Sequence, residues 1–136
     1  MSRHAMAGLL AGGVLTVCLL VRSAVQGSMA LGQEIPIIPG LFSLRHVRNP
    51  GAAFSLFAGT SEWFRGPFLV TVAAVALVVI AVMYVREGHK RSCLWLGLPV
   101  LAGGAASNLV ERLLAGAVTD YLDVYLGSYH WPTFNL

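Results

Sequence analysis

Val72-Ala73-Ala74-Val75-Ala76-Leu77-Val78-Val79-Ile80-Ala81-Val82 carries an apolar side chain at every position. A helix that is apolar on every face has no side to turn toward water, so it belongs in a core or in a membrane. The run sits within Gly66–Val85, which holds no Asp, Glu, Lys or Arg and is bracketed by Arg65 and Arg86. That is a spanning length, since about 20 apolar residues cross the hydrocarbon of a bilayer. Two further charge-free stretches repeat the pattern, Ala5–Val21 and Ser92–Val110. Composition agrees. Of 136 residues, 57% are hydrophobic and 11% charged, with a mean hydropathy of +0.73, whereas a soluble chain is roughly 25% charged. These values exclude a disordered chain. The net charge of +3 comes from nine scattered basic residues rather than a basic stripe, which argues against a nucleic-acid partner. The fold class is an α-helical integral membrane protein of one domain.

The first stretch also has the shape of a signal peptide, with Arg3 and His4 ahead of an apolar core. No small-x-small cleavage site follows it, and in Leu15-Thr16-Val17-Cys18 the bulky Val17 spoils a lipoprotein cleavage box. It is therefore read as a membrane helix. Cys18 and Cys93 both lie in apolar runs and read as free thiols packed as small hydrophobes.

Residues 32–65 differ from the rest. Pro36, Pro39, Gly40, Pro50, Gly51 and Gly59 break helices there. Leu41–Arg48 and Ala52–Phe57 read as strands joined by a tight turn at Asn49-Pro50-Gly51. Thr60–Arg65, with Trp63 and Phe64, reads as a membrane-surface segment. The loop Arg86-Glu87-Gly88-His89-Lys90-Arg91 is short and basic, which predicts a cytoplasmic position. Residues 32–65 and everything after Leu114 then lie outside, although Arg45, Arg48 and Arg65 stand against this orientation. The predicted layout of the single domain, 1–136, is helix 1 at about 5–22, an outer cradle and surface segment at about 32–65, helix 2 at 66–85, helix 3 at 92–114, and an outer catalytic segment at about 116–136. The tail, rich in Tyr121, Tyr125, Tyr129, His130, Trp131 and Phe134, is expected at the outer membrane surface.

Helix 3 carries the chemistry. Ala102-Gly103-Gly104-Ala105-Ala106-Ser107 is a run of small residues that lets another helix approach closely in lipid. Asn108, Glu111 and Arg112 follow on one face. Polar groups at that depth usually face a protein interior or a wet cavity; the plainer reading pairs Glu111 with Arg112 at the interface. Asp120 and Asp123 stand among apolar residues beyond Gly116. A carboxyl in an apolar pocket has a raised pKa, and two sharing a site divide into an acid and a base. Spacing alone does not make Asp120 and Asp123 such a pair. No Gly-x-Ser-x-Gly, His-Glu-x-x-His, Cys-x-x-Cys or phosphate loop is present. His4, His46, His89 and His130 lack metal-ligand spacing, so neither a metal nor a cofactor is expected.

Four motifs then match a family in order and spacing. Asn49-Pro50-Gly51-Ala52-Ala53-Phe54-Ser55 resembles the Asn-x-Gly-Ala-Ala-Phe-Ser motif of lipoprotein signal peptidase (signal peptidase II). Gly103-Gly104-Ala105-Ala106-Ser107-Asn108-Leu109-Val110-Glu111-Arg112 is similar to its Gly-Gly-Ala-x-Gly-Asn-Leu-x-Asp-Arg motif, Gly116-Ala117-Val118-Thr119-Asp120-Tyr121 to Gly-x-Val-x-Asp-Phe, and Phe134-Asn135-Leu136 to the opening of Phe-Asn-x-Ala-Asp. Ile35-Pro36-Ile37-Ile38-Pro39-Gly40 resembles the family's first outer strand. The resemblance implies a multi-pass aspartic endopeptidase of the bacterial inner membrane with four helices, three of them present here, and a small outer β-sheet cradle. Its active site faces outward. Its substrates are prolipoproteins, cut before a diacylglyceryl-cysteine in contact with membrane lipid, and globomycin-like inhibitors are expected to bind. Asp120 matches the first catalytic aspartate. Asn49, Asn108, Arg112 and Asn135 match polar residues that line the site and hold substrate, with Gly51 and Glu111 supporting.

The chain also departs from the pattern. Glu111 stands for Asp, and Ser107 for Gly. The family's Asp-x-x-x-Lys falls on Cys18 and Arg22, where only the basic charge is kept. The second aspartate is expected three positions after Asn135, past Leu136, with the fourth helix, so the 136 residues alone are expected to be inactive. The alternative function is a non-catalytic membrane protein on this scaffold that binds lipidated partners.

Overall fold

The computed structural model describes residues 2–51, 61–88 and 92–136. Three helices, α1 (Arg3–Ser28), α2 (Glu62–Glu87) and α3 (Ser92–Ala115), accompany a four-stranded sheet. The strands are β1 (Glu34–Ile38), β2 (Phe42–Asn49), β3 (Val118–Leu126) and β4 (Tyr129–His130), in antiparallel sequence order. All three helices are long and apolar enough to cross a membrane, with mean hydropathies of 2.0, 2.9 and 1.5. They leave large side chains such as Leu20, Val78, Val85 and Leu101 exposed, as lipid-facing surfaces do.

Two helix boundaries differ from expectation. Helix 1 does not end near residue 22 but runs to Ser28. Arg22 is buried within it and paired with Glu111, so this charge does not mark the end of the span. Helix 2 begins at Glu62, not Gly66. Trp63, Phe64 and Arg65, expected as a surface segment, form its first turn. The strand expected over Ala52–Phe57 lies outside the described residues. The polar tail expected from Asp120 onward is instead most of β3, whose residues Val118–Tyr121 are all buried.

The helix α3 packs against both α1 and α2. The run of small residues makes this approach possible at Gly103, where an added Cβ would lie 2.5 Å from the Ala11 carbonyl oxygen and 2.7 Å from the Val14 Cβ. The sheet rests on the far end of α1. Val25 and Met29 form a buried cluster with Tyr121 of β3, flanked by Val21, Leu44 and Leu122. His46 donates through Nδ1 to the Met29 carbonyl at 2.9 Å, tying β2 to the end of the helix. Gly116 takes a left-handed φ of 72° and donates its N–H to the Arg112 carbonyl. This is a glycine cap, and it converts α3 into β3 within two residues.

Candidate active site

Asp120 reaches the site from β3, opposite Val47 of β2. It is 4% exposed. Its Oδ2 accepts from Asn49 Nδ2 at 2.8 Å, and its Oδ1 accepts from Asn135 Nδ2. Asn49 is presented by the turn expected at Asn49-Pro50-Gly51, since its Oδ1 accepts the Gly51 N–H at 2.9 Å. That bond turns the amide nitrogen toward the carboxylate. Arg112 donates to the Gly51 carbonyl and so braces the same turn. Burial pushes the Asp120 carboxyl above the usual carboxylate range. The two amide hydrogen bonds and the charges of Arg22 and Arg112 oppose this without cancelling it. Burial also raises the neighbouring Tyr121 phenol.

Beneath Asp120 lies a buried polar lattice centred on Arg22, which is 2% exposed. Its Nη1 donates to Glu111 Oε2 at 3.0 Å, and its Nη2 donates to Asn108 Oδ1 at 2.5 Å and Asn135 Oδ1 at 2.7 Å. Glu111 accepts in addition from Gln26 Nε2 at 2.8 Å, the Thr119 hydroxyl at 2.6 Å and the Thr119 N–H at 3.0 Å. Every oxygen of this buried carboxylate is therefore supplied, as a buried charge requires.

A cavity of about 570 Å³ opens beside Asp120. Asn49, Asn108, Arg112 and Asn135 give it a polar end. Leu69, Val72, Ala73 and Ala76 of α2 with Ala105 of α3 form an apolar wall, and Trp131–Phe134 form another. The structure thus gathers Asp120, Asn49, Asn108, Arg112 and Asn135 around one space. Glu111 and Gly51 stand behind it.

Two of the pairings considered from the sequence are not found. Glu111 does not bond Arg112, because adjacent residues on a helix point about 100° apart; Glu111 faces α1 and Arg112 faces the cavity. Asp123 does not share the site with Asp120. It is fully buried and held by His130 Nδ1 at 2.8 Å and Ser43 Oγ at 3.3 Å. Sequence reasoning missed Gln26 and Thr119, two of the donors that hold Glu111, and the cavity wall from α2. Neither carries a motif; each is recognisable only once α1, α2 and α3 are packed. Among the described residues no three His, Cys, Asp or Glu side chains come together to hold a metal.

A buried, proton-retaining carboxyl at the mouth of a three-helix membrane bundle, facing a half-polar cavity, defines a membrane-embedded hydrolase of the aspartic type. The family model for signal peptidase II matches residues 10–136. The chain belongs to that family of aspartic peptidases. It is similar to the lipoprotein signal peptidase of Desulforapulum autotrophicum, 41% identical over 115 residues that cover 85% of this chain and 71% of that one. The corresponding protein of Geobacter sulfurreducens is 44% identical over 112 residues, 82% of this chain and 69% of that one. That of Maridesulfovibrio salexigens is 36% identical over 136 residues, all of this chain and 87% of that one. A solved bacterial membrane enzyme shares the fold, with a TM-score of 0.80 at 22% identity over 96% of this chain and 77% of its own.

Proposed function

We propose that the chain removes signal peptides from bacterial prolipoproteins, cutting before a diacylglyceryl-modified cysteine, and that Asp120 is one of two aspartates that activate the attacking water. The observation that carries this reading is the Asp120 carboxyl itself. It is buried, raised above its ordinary pKa, held at both oxygens and open to a cavity walled partly by apolar side chains. A diacylglyceryl chain and an apolar signal segment suit such a wall, and a peptide backbone suits the amide and guanidinium end.

In the proposed step one carboxylate takes a proton from water as its oxygen attacks the scissile carbonyl. The second carboxyl, protonated, then donates to the leaving amide nitrogen, so the pair holds one proton between its members. Neither Glu111 nor Asp123 supplies the second carboxyl, since both are committed elsewhere. The family motif places it three positions after Asn135. Asn135 itself touches Asp120, so the chain at that point runs past the first carboxyl. Asn108 and Arg112 are assigned to holding substrate. The short basic loop 86–91 supports an N-terminus and loop in the cytoplasm, with the sheet and Asp120 at the outer face of the inner membrane.

The test is prolipoprotein processing in cells lacking their own enzyme, with the complete reading frame expressed. Asp120→Asn is expected to insert in the membrane in parental amounts and to process nothing. Near-parental processing by this variant overturns the reading.

A further inference from the structure

We infer that His130 is a positioning residue, whose hydrogen bond to buried Asp123 sets the outer wall of the cavity. The inference rests on the peptidase reading for what that cavity holds. After β3 the chain reverses at Gly127, where φ is 61°, and returns as β4, only two residues long and exposed. The residues that follow, from Trp131 to Asn135, line the cavity. Backbone bonds from Trp131 to Val124 and from Phe134 to Leu122 give this segment its register. Side chains anchor it at its two ends. Asn135 is fixed to Asp120 and Arg22 at the far end. At the near end the anchor is His130.

The His130 bond is strong because Asp123 has little else. Asp123 is 0% exposed, and its Oδ1 has no hydrogen-bond partner among the described residues. Ser43 carries one hydroxyl proton. It lies 2.8 Å from Glu34 Oε1 but 3.3 Å from Asp123 Oδ2, so Glu34 is its nearer acceptor. His130 Nδ1, at 2.8 Å, is left as the principal donor to a buried carboxylate, and charge-assisted bonds of this kind are among the strongest in proteins. The His130 ring also stacks on Tyr125 at 4.7 Å and 10°, and the Tyr125 hydroxyl accepts the Gly40 N–H at 3.2 Å. The near end of the wall is thus tied through β3 to the β1–β2 turn. Neither His130 nor Asp123 lines the cavity, so the pair acts on substrate through the placement of Trp131 and its neighbours and leaves the chemistry at Asp120 untouched.

The experiment uses the complete enzyme in lipid nanodiscs with a fluorogenic lipidated-cysteine peptide. His130→Ala is expected to raise KM about tenfold with kcat within twofold of the parent. His130→Asn places an amide N–H near the position of Nδ1 and is expected to keep KM within twofold. A second readout needs no activity. With Trp63→Phe and Trp95→Phe as background, acrylamide quenching of Trp131 should rise about twofold in His130→Ala and stay at the parental level in His130→Asn. Unchanged KM and quenching in His130→Ala overturn the inference, as does an Asn variant no better than the Ala one. So does loss of folded protein in both variants, which assigns the pair to stability alone. A parent that cleaves nothing counts against the peptidase reading, while the quenching comparison still decides the role of His130.

Discussion

Arg22 of α1 and Glu111 of α3 form a buried ion pair at 3.0 Å, 89 residues apart in the chain. The pair locks two membrane helices together beneath Asp120, and each partner neutralises a charge that the interior would otherwise refuse. Removing either charge strands the other, at a cost of about 3–5 kcal/mol. Arg22→Met and Glu111→Leu are each expected to lower the thermal midpoint in detergent markedly. The double variant should recover much of the loss, because it leaves no uncompensated charge. Additive losses in this cycle would show that the pair does not couple.

Gly103 touches the α1 backbone, whereas Gly104 has nothing within 4 Å of the place its Cβ would occupy. Gly103→Ala must push α1 aside and should cost roughly 1–3 kcal/mol. Gly104→Ala should be neutral or mildly stabilising, since alanine is the better helix former. Comparing the two midpoints checks the helix contact directly.

The pH dependence follows from the raised Asp120 pKa. A group whose folded-state pKa is raised stabilises the fold fully at pH below its unfolded value. That contribution is lost as pH rises from the ordinary carboxylate range through the raised value. Asn mimics the neutral acid. Asp120→Asn is therefore expected to melt above the parent at neutral pH and to converge with it in acid, while losing at least the roughly 10²–10⁴-fold that acid–base catalysis supplies. A variant that melts below the parent at neutral pH would contradict the assigned direction.

The membrane orientation is checked by single cysteines in a background lacking Cys18 and Cys93. An impermeant thiol reagent applied to spheroplasts should label a cysteine at Glu34 and spare one at Glu87. The reverse pattern would invert the topology.

The spans were legible in the sequence because lipid demands uninterrupted apolar length, and nothing distant is needed to see that. Their ends were less so. Arg22 reads as the end of a span until its partner, 89 residues away, is placed beside it. Strand β2 was readable from its turn residues. Strand β3 was not, since Asp120 and Asp123 look like a solvated tail when their donors Asn49, Asn135, Ser43 and His130 are out of view. The gathering of Asn49, Asn108, Arg112, Asp120 and Asn135 was visible only through motif resemblance. The role of Glu111 was misjudged because sequence adjacency to Arg112 was taken for contact.

The glycine cap at Gly116 has a consequence for where cleavage falls. Only four residues separate the last residue of α3 from Asp120, and Gly116 closes the turn with no slack. A helix of 24 residues extends about 36 Å at 1.5 Å per residue, against about 30 Å of hydrocarbon. The height of the reactive carboxyl above the bilayer midplane is therefore set by α3 acting as a ruler. Lengthening α3 by one residue ahead of Gly116 would lift the blade without blunting it, and the scissile bond it meets would change with it.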